Sequence, residues 1–163
     1  MIVKVHEILG TLGASSSFSF DECVEMEGLE LSGNLVVKVK LTNTGSRVLV
    51  QGEALPAVRV PCSRCGEMFL YSAEVPFIEE FLPPDSPELE HGMFIFVDEE
   101  IVLDEMLRQN IISALPMQPI CRENCQGLCT SCGRNLNLSS CQCPGEAVDP
   151  RWIPLAKFKK AAI

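Results

Sequence analysis

Apolar and polar residues alternate with a period of two through much of the first half of the chain. In residues 34–42 (NLVVKVKLT), Leu35, Val37, Val39 and Leu41 fall on one side while Lys38 and Lys40 fall on the other, which predicts a half-buried strand. Asn43, Thr44, Gly45 and Ser46 supply turn residues, and RVLVQGEA returns as a second strand. A further pair is predicted around the motif CSRC, with residues 57–61 leading in and 68–82 leading out, so that CSRC sits at a tight turn. The small-residue run GASSS at 13–17 reads as a flexible loop, and PPDSPELEHG at 83–92, which contains His91, as an exposed one. MFIFV at 93–97 reads as a short apolar strand. The period then changes to that of a helix over 103–115, where Leu103, Met106, Leu107, Ile111, Ala114 and Leu115 make one stripe. Asp104 and Glu105 lie in its first turn, and Pro116 stops it. These elements predict an α+β fold: an antiparallel β-rich domain with one main helix over residues 1–118, then a C-terminal cysteine-rich zinc-binding module with a basic tail over 119–163.

Composition places this pattern in a folded protein. Of 163 residues, 47% are hydrophobic and 21% charged, enough apolar content for one core with a small appended module. The N-terminal stretch MIVKVHEILG lacks the uninterrupted apolar run of a signal peptide, and no segment approaches the ~18 apolar residues of a membrane span. The chain is therefore expected to be cytoplasmic, with no membrane partner and with its thiols kept reduced.

Charge divides the chain. Residues 1–120 carry seven Lys/Arg against nineteen Asp/Glu, while residues 121–163 carry six against three, within a net charge of −9. Between 74 and 105 there are eleven acids and no Lys or Arg. Such a surface repels phosphate, so strong RNA binding by the whole protein is disfavoured and any RNA contact falls to the C-terminal third. The acidic run is either a solvated face or a docking face for a basic partner.

Nine cysteines carry the candidate chemistry. Eight form four close pairs, Cys62/Cys65, Cys121/Cys125, Cys129/Cys132 and Cys141/Cys143, and Cys23 stands alone. Close spacing lets two thiolates point at one ion, so four pairs suit two four-thiolate structural zinc sites. One arrangement closes Cys129/Cys132 with Cys141/Cys143 as a knuckle and joins Cys121/Cys125 to Cys62/Cys65, pinning the helix exit to the sheet. The rival joins Cys121/Cys125 to a distal pair and leaves Cys62/Cys65 free or redox-active. A redox motif of that kind belongs at a helix N-terminus, whereas CSRC lies in strand-rich sequence. Catalytic zinc keeps an open position and commonly takes histidine or carboxylate ligands, and the two histidines, His6 and His91, lie in unrelated segments. No P-loop, G-x-G-x-x-G or G-x-S-x-G pattern is present, and no small-molecule substrate is implied. In the tail, Trp152, Leu155 and Phe158 interleave with Arg151, Lys157, Lys159 and Lys160, which together with Arg134 are the candidate contacts to a partner or to RNA.

The order of these motifs is similar to that of the YceD-like proteins, a family also described as large ribosomal RNA subunit accumulation proteins. The resemblance rests on Cys62-Ser-Arg-Cys65, Ala114-Leu115-Pro116, Cys125-Gln-Gly-Leu-Cys129, Cys132-Gly133, Asn135-Leu136-Asn137, Cys141-Gln-Cys143 and Asp149-Pro150-Arg151. It spans about residues 60–155; residues 1–59 share only a β-rich character. What it implies is a non-enzymatic role in large-subunit ribosomal RNA accumulation, with a ribosomal protein or processing factor as partner and ribosomal RNA as a further one. It brings no catalytic residues. The reading from residues alone leaves a second class open, a thiol-redox or zinc-dependent regulator acting through Cys62 and Cys65.

Overall fold

The structure, a computed structural model, describes residues 1–90, 92–143 and 151. Its centre is a five-stranded sheet in the order β2 (Ser15–Glu22), β3 (Leu35–Asn43), β4 (Val48–Leu55), β7 (Val75–Leu82), β8 (Phe94–Ile95). Between β4 and β7 the chain makes a two-stranded ribbon, β5 (Ala57–Pro61) with β6 (Met68–Ser72). A second ribbon pairs β1 (Ile2–Lys4) with β9 (Glu100–Val102). Among the described residues two α-helices complete the fold, the single turn α1 (His6–Leu9) and α2 (Asp104–Ala114).

The period-two pattern of β3 reports the core faithfully, because Leu35, Val37, Val39 and Leu41 are all buried and Lys38 and Lys40 are exposed. Facing β4 continues that layer with Val48, Val50 and Ala54. Gly52, opposite Val39, has no room for a side chain: a Cβ there would lie 2.0 Å from the Lys38 carbonyl oxygen and 2.9 Å from the Phe77 ring. Above the layer, α2 buries Met106, Leu107 and Ile111, with Leu103 buried just before it. Burial of this kind contributes ~25 cal/mol per Å² of apolar surface and is the main term holding the helix to the sheet. Glu105 sits one turn from Arg108, which donates two hydrogen bonds to it at 2.8 and 2.7 Å.

Asn43 closes the far end of the core. Its side-chain N–H groups donate to the carbonyls of Ile8, Leu9 and Thr11 at 2.9–3.1 Å, and its carbonyl accepts from the Gly45 amide at 2.8 Å. One buried amide thus ties the carbonyls at and just beyond the end of α1 to the β3–β4 turn, where Gly45 adopts φ 104.

Several expectations are corrected. Residues 13–17 are not a loop throughout: Ser15, Ser16 and Ser17 open β2, whose Ser16, Phe18 and Phe20 turn inward while Ser15, Ser17 and Ser19 face solvent. Serine alternating with phenylalanine is strand chemistry hidden by small-residue composition. The outgoing segment 68–82 is two strands, one in the ribbon and one in the main sheet. MFIFV narrows to Phe94–Ile95, which runs in the same direction as β7 and pairs parallel with Phe81 and Leu82 at its end. On α2, Ala114 is exposed, while Leu115 just after the helix is partly buried against the core. Among the described residues, no helix is long and apolar enough to cross a membrane.

Candidate metal centres

The β5–β6 ribbon ends in Cys62-Ser63-Arg64-Cys65-Gly66, a turn fixed by two backbone bonds. The Cys62 amide donates to the Glu67 carbonyl and the Gly66 amide to the Cys62 carbonyl, both at 2.9 Å. Gly66 takes φ 74, a conformation that glycine adopts without a Cβ penalty. Beyond α2, Pro116 ends the helix and the chain returns along this turn, held by Ser63 N–H to Pro119 O at 2.8 Å. That return delivers Cys121 and Cys125 against Cys62 and Cys65. The Cys62 and Cys125 sulfurs lie 3.9 Å apart and those of Cys65 and Cys121 3.8 Å apart. All four Sγ atoms fall within 4.8 Å of one another. Cys62, Cys65 and Cys125 are buried; Cys121 is half-buried.

A second group repeats the turn. The Cys129 amide donates to Arg134 O and the Gly133 amide to Cys129 O, both at 2.8 Å, with Gly133 at φ 70. CSRCGE and CTSCGR are thus the same knuckle, made twice. Cys141 and Cys143 close on the second copy, and again all four sulfurs lie within 4.8 Å. None of these four is buried; Cys132 is exposed and the others half-buried.

Residues between the pairs join the two groups, and the motif-by-motif reading missed them. Arg64 donates from Nη1 to the carbonyls of Glu123 and Cys125 at 3.3 and 3.1 Å, and its own carbonyl accepts from the Leu128 amide. Gly127, at φ 72, lets the chain pass so close that a Cβ would meet Arg64 O at 3.1 Å. Asn137, in the loop that closes the second group, donates to the Cys125 sulfur at 3.3 Å and accepts from the Gln126 amide at 2.9 Å. Asn135 reaches Glu67 on the ribbon. The signal for these residues was the motif Asn135-Leu136-Asn137, whose asparagines carry both donor and acceptor groups.

Thiol electrostatics follow from this packing. Backbone N–H groups, that of Cys121 foremost, hold the Cys62 thiol down at about 6, and the amides of Cys132 and Ser131 do the same for Cys129, also to about 6. Burial, then the neighbouring sulfurs, pushes Cys121 up to about 12. Hydrogen bonding to Cys132 and loss of water push Cys143 up to about 12. Each group therefore favours some thiolates and resists a full set, as four like charges within a few ångströms must without a counter-charge. A divalent cation supplies that charge. The spacing suits one: four sulfurs ~2.3 Å from a tetrahedral zinc stand ~3.8 Å from each other, whereas a disulfide brings two to ~2.05 Å. Both groups could hold a metal ion, and the full set of thiolates leaves no position for water.

Cys23 is exposed and belongs to neither group. Arg134 is exposed but donates from Nη1 to the Ser140 carbonyl at 3.1 Å, closing its own loop. Arg151 is exposed. Lys157, Lys159, Lys160, Trp152 and His91 lie outside the described residues.

Comparison with known proteins sets this geometry in a family. The chain is 30% identical over 144 residues to an uncharacterized protein of Mycobacterium tuberculosis, covering 83% of this chain and 67% of that protein. It is 26% identical over 136 residues to an uncharacterized protein of Mycobacterium leprae, covering 81% of this chain and 62% of that one. A shorter match, 41% identical over 51 residues, is to the chloroplastic large ribosomal RNA subunit accumulation protein YCED homolog 1 of Zea mays, covering 31% of this chain and 17% of that protein. No solved structure matches the chain at a significant level. The family model described as large ribosomal RNA subunit accumulation protein YceD matches residues 50–159, a span that holds all eight paired cysteines and both knuckles, and the chain belongs to the YceD family.

Proposed function

We propose that this chain is a non-enzymatic factor in large-subunit ribosomal RNA accumulation, acting in the cytoplasm through contacts made by a scaffold that two structural zinc ions hold together. Family membership supports the ribosomal role. The scaffold reading is carried by one observation: each group gathers four thiols at metal spacing and leaves no ligand position open. Cys62, Cys65, Cys121 and Cys125 take one ion; Cys129, Cys132, Cys141 and Cys143 take the other. Residues 1–118 and 119–163 then work as one unit, because the first ion draws ligands from both.

Zinc in such sites supplies cross-linking in place of a larger core, with apparent binding energies of ~10 kcal/mol or more per site. Function falls to the surfaces so held. A basic ribosomal protein or processing factor meets the acidic N-terminal two-thirds, and Arg134, Arg151, Lys157, Lys159 and Lys160 are the residues for RNA or a phosphate-bearing partner. The thiol-redox alternative gains little from Cys62, whose sulfur is lowered but only 3% of whose surface is exposed.

The test has two arms. Protein purified without added metal is analysed for bound zinc and free thiol, with two zinc per chain and one reactive thiol, Cys23, expected. Cells lacking the protein are then assayed for large-subunit relative to small-subunit ribosomal RNA, with a selective fall expected. Metal-free protein with a reversible Cys62–Cys65 disulfide, or an unchanged ribosomal RNA ratio, overturns the corresponding half.

A further inference from the structure

The main sheet leaves one of its long strands, β2, as an edge along its whole length, whereas at the other end β8 pairs with Phe81 and Leu82 of β7. The main sheet ends in β2 on one side and in β8 on the other. The β8 side is continued: Val97 bridges Glu100, leading into β9, and β9 pairs with β1. Between β1 and β2 no strand pairing is present among the described residues; a cleft of ≈ 460 Å³ lies there instead. Ser16 and Phe18 of β2 form one wall, and Lys4, His6, Glu7, Asp98, Glu99 and Glu100 stand opposite, four acids against one lysine and one histidine.

The β2 wall is an unpaired strand edge. On β3, Asn43 donates its backbone N–H toward β2, to Ala14 O at 2.9 Å, while Thr44 is bonded on the β4 side to Arg47. Alternate residues of an antiparallel strand face the same neighbour, so Leu41, Val39 and Val37 face β2 and pair with Ser16, Phe18 and Phe20. The amides and carbonyls of Ser15, Ser17 and Ser19 therefore point outward, with no partner strand. Residues 15–20 of this edge carry no charge and no Pro, the usual devices that discourage pairing, and the acids Asp21 and Glu22 lie only at its end. Phe18 and Phe20, next to it, are only half-buried, so an added strand would also remove aromatic surface from water.

The opposite wall states what the strand should carry. Lys4 is paired with Glu100 at 3.9 Å, while no ion pair is made by Glu7, Asp98 or Glu99 among the described residues. Asp98 and Glu99 form a two-residue turn at φ 52 and 62, positions where Asn-Gly is the usual choice. Asp98 tolerates that conformation, while Glu99 is held at the cleft against backbone preference. A long cationic side chain fits both walls at once, its methylene stem on Phe18 and its head at the acids.

We infer that the open edge of β2 docks an extended segment of a protein partner by strand addition, with Lys or Arg at alternate positions facing the acidic turn. This deepens the scaffold reading above by naming its partner surface, and rests on that reading only for its ribosomal context. Main-chain bonds would give affinity and the basic side chains specificity. The net charge of −9 disfavours a second copy or RNA at this edge.

The probe is a capped (Arg-Thr)4 peptide, titrated at 0.15 M salt into the full chain with its metal content unaltered. Binding should protect the Ser17 and Ser19 amides from hydrogen exchange, and a (Glu-Thr)4 control should bind at least tenfold more weakly. Ser17→Pro removes one outward amide and no charge; it should weaken binding at least tenfold while the melting transition persists. Should that variant not fold, the Glu7→Gln, Glu99→Gln double variant takes its place, with a severalfold loss expected. Equal binding of both peptides, protection elsewhere than β2, undiminished binding by a folded Ser17→Pro protein, or concentration-dependent dimerisation through β2 overturns the inference. None of these outcomes bears on the ribosomal RNA ratio of cells lacking the protein, so failure here and failure of the ribosomal reading are distinguishable.

Discussion

The two cysteine groups use one turn for different purposes. Both knuckles have the same pair of backbone bonds and a left-handed glycine after the second cysteine. They differ in what they join. The first takes Cys62 and Cys65 from the β5–β6 ribbon and Cys121 and Cys125 from the chain beyond α2, and three of its four cysteines are buried. The second takes all four from within residues 129–143, and none is buried. Loop closure explains why this matters: a cross-link that closes a long loop removes more freedom from the unfolded chain than one closing a short loop. With an ion bound, the same chemistry would be a fold-wide fastening in one place and a local clasp in the other.

The largest expected difference is in thermal stability. Cys62→Ser and Cys129→Ser should each lower bound zinc from two to one per chain, as measured by elemental analysis. Cys62→Ser should lower the melting temperature by ~10–20 °C, since it also releases the helix exit from the ribbon, and Cys129→Ser by only a few degrees. Equal losses would break the comparison. So would loss of both ions from Cys129→Ser, which would make the second group the foundation of the first.

Asn137 is where the comparison can be sharpened, because it belongs to the second group's loop and bonds to a first-group sulfur. Asn137→Ala removes a donor to Cys125 and an acceptor for the Gln126 amide, at a cost of about 2 kcal/mol, or ~4–8 °C in melting temperature. Asn137→Asp should be worse than alanine, since a carboxylate cannot donate to sulfur and repels a thiolate. Zinc release to a chromogenic chelator should quicken at the first group in the order Asp, Ala, wild type. An effect confined to the second group would assign Asn137 to loop closure alone.

How much of this was legible in the sequence depends on whether a residue acts through its own spacing or through a distant partner. Leu35 to Leu41 announced β3 because burial alternates with the pleat, and the close pairing of the cysteines announced ligand pairs. The edge strand β2 was obscured because three serines look like a linker until Phe18 and Phe20 supply the inward face. The parallel pairing of β8 with β7 depends on where a proline-rich crossover lands, which no local period encodes. Gly52 is required by the Lys38 carbonyl across the sheet, and Arg64 by the carbonyls of Glu123 and Cys125; neither partner is near in sequence. The cysteine spacing therefore specified pairs, while the path of the chain after Pro116 decided which pairs could meet.

The smallest expected effect concerns protons in metal-stripped protein. Cys62 and Cys129 occupy the same place in the two knuckles, and both thiols are held at about 6. An acid whose folded value lies below the ordinary ~8.5 contributes stability that is fully present above ~8.5 and is lost as pH falls through about 6. Cys143, pushed up to about 12, has the opposite sign: its contribution is present below ~8.5 and is lost as pH rises toward about 12. Reactivity adds burial to this ionisation. Alkylation by iodoacetamide, followed by peptide mass mapping, should modify Cys129 with a half-maximal rate near pH 6 and Cys143 hardly at all below pH 10. Cys62, equally ionised but 3% exposed, should react far more slowly than Cys129 at every pH. Matching rates for Cys62 and Cys129 would mean that the first group opens once its metal is gone, so that the ion, not the packing around it, keeps the ribbon and the helix exit together.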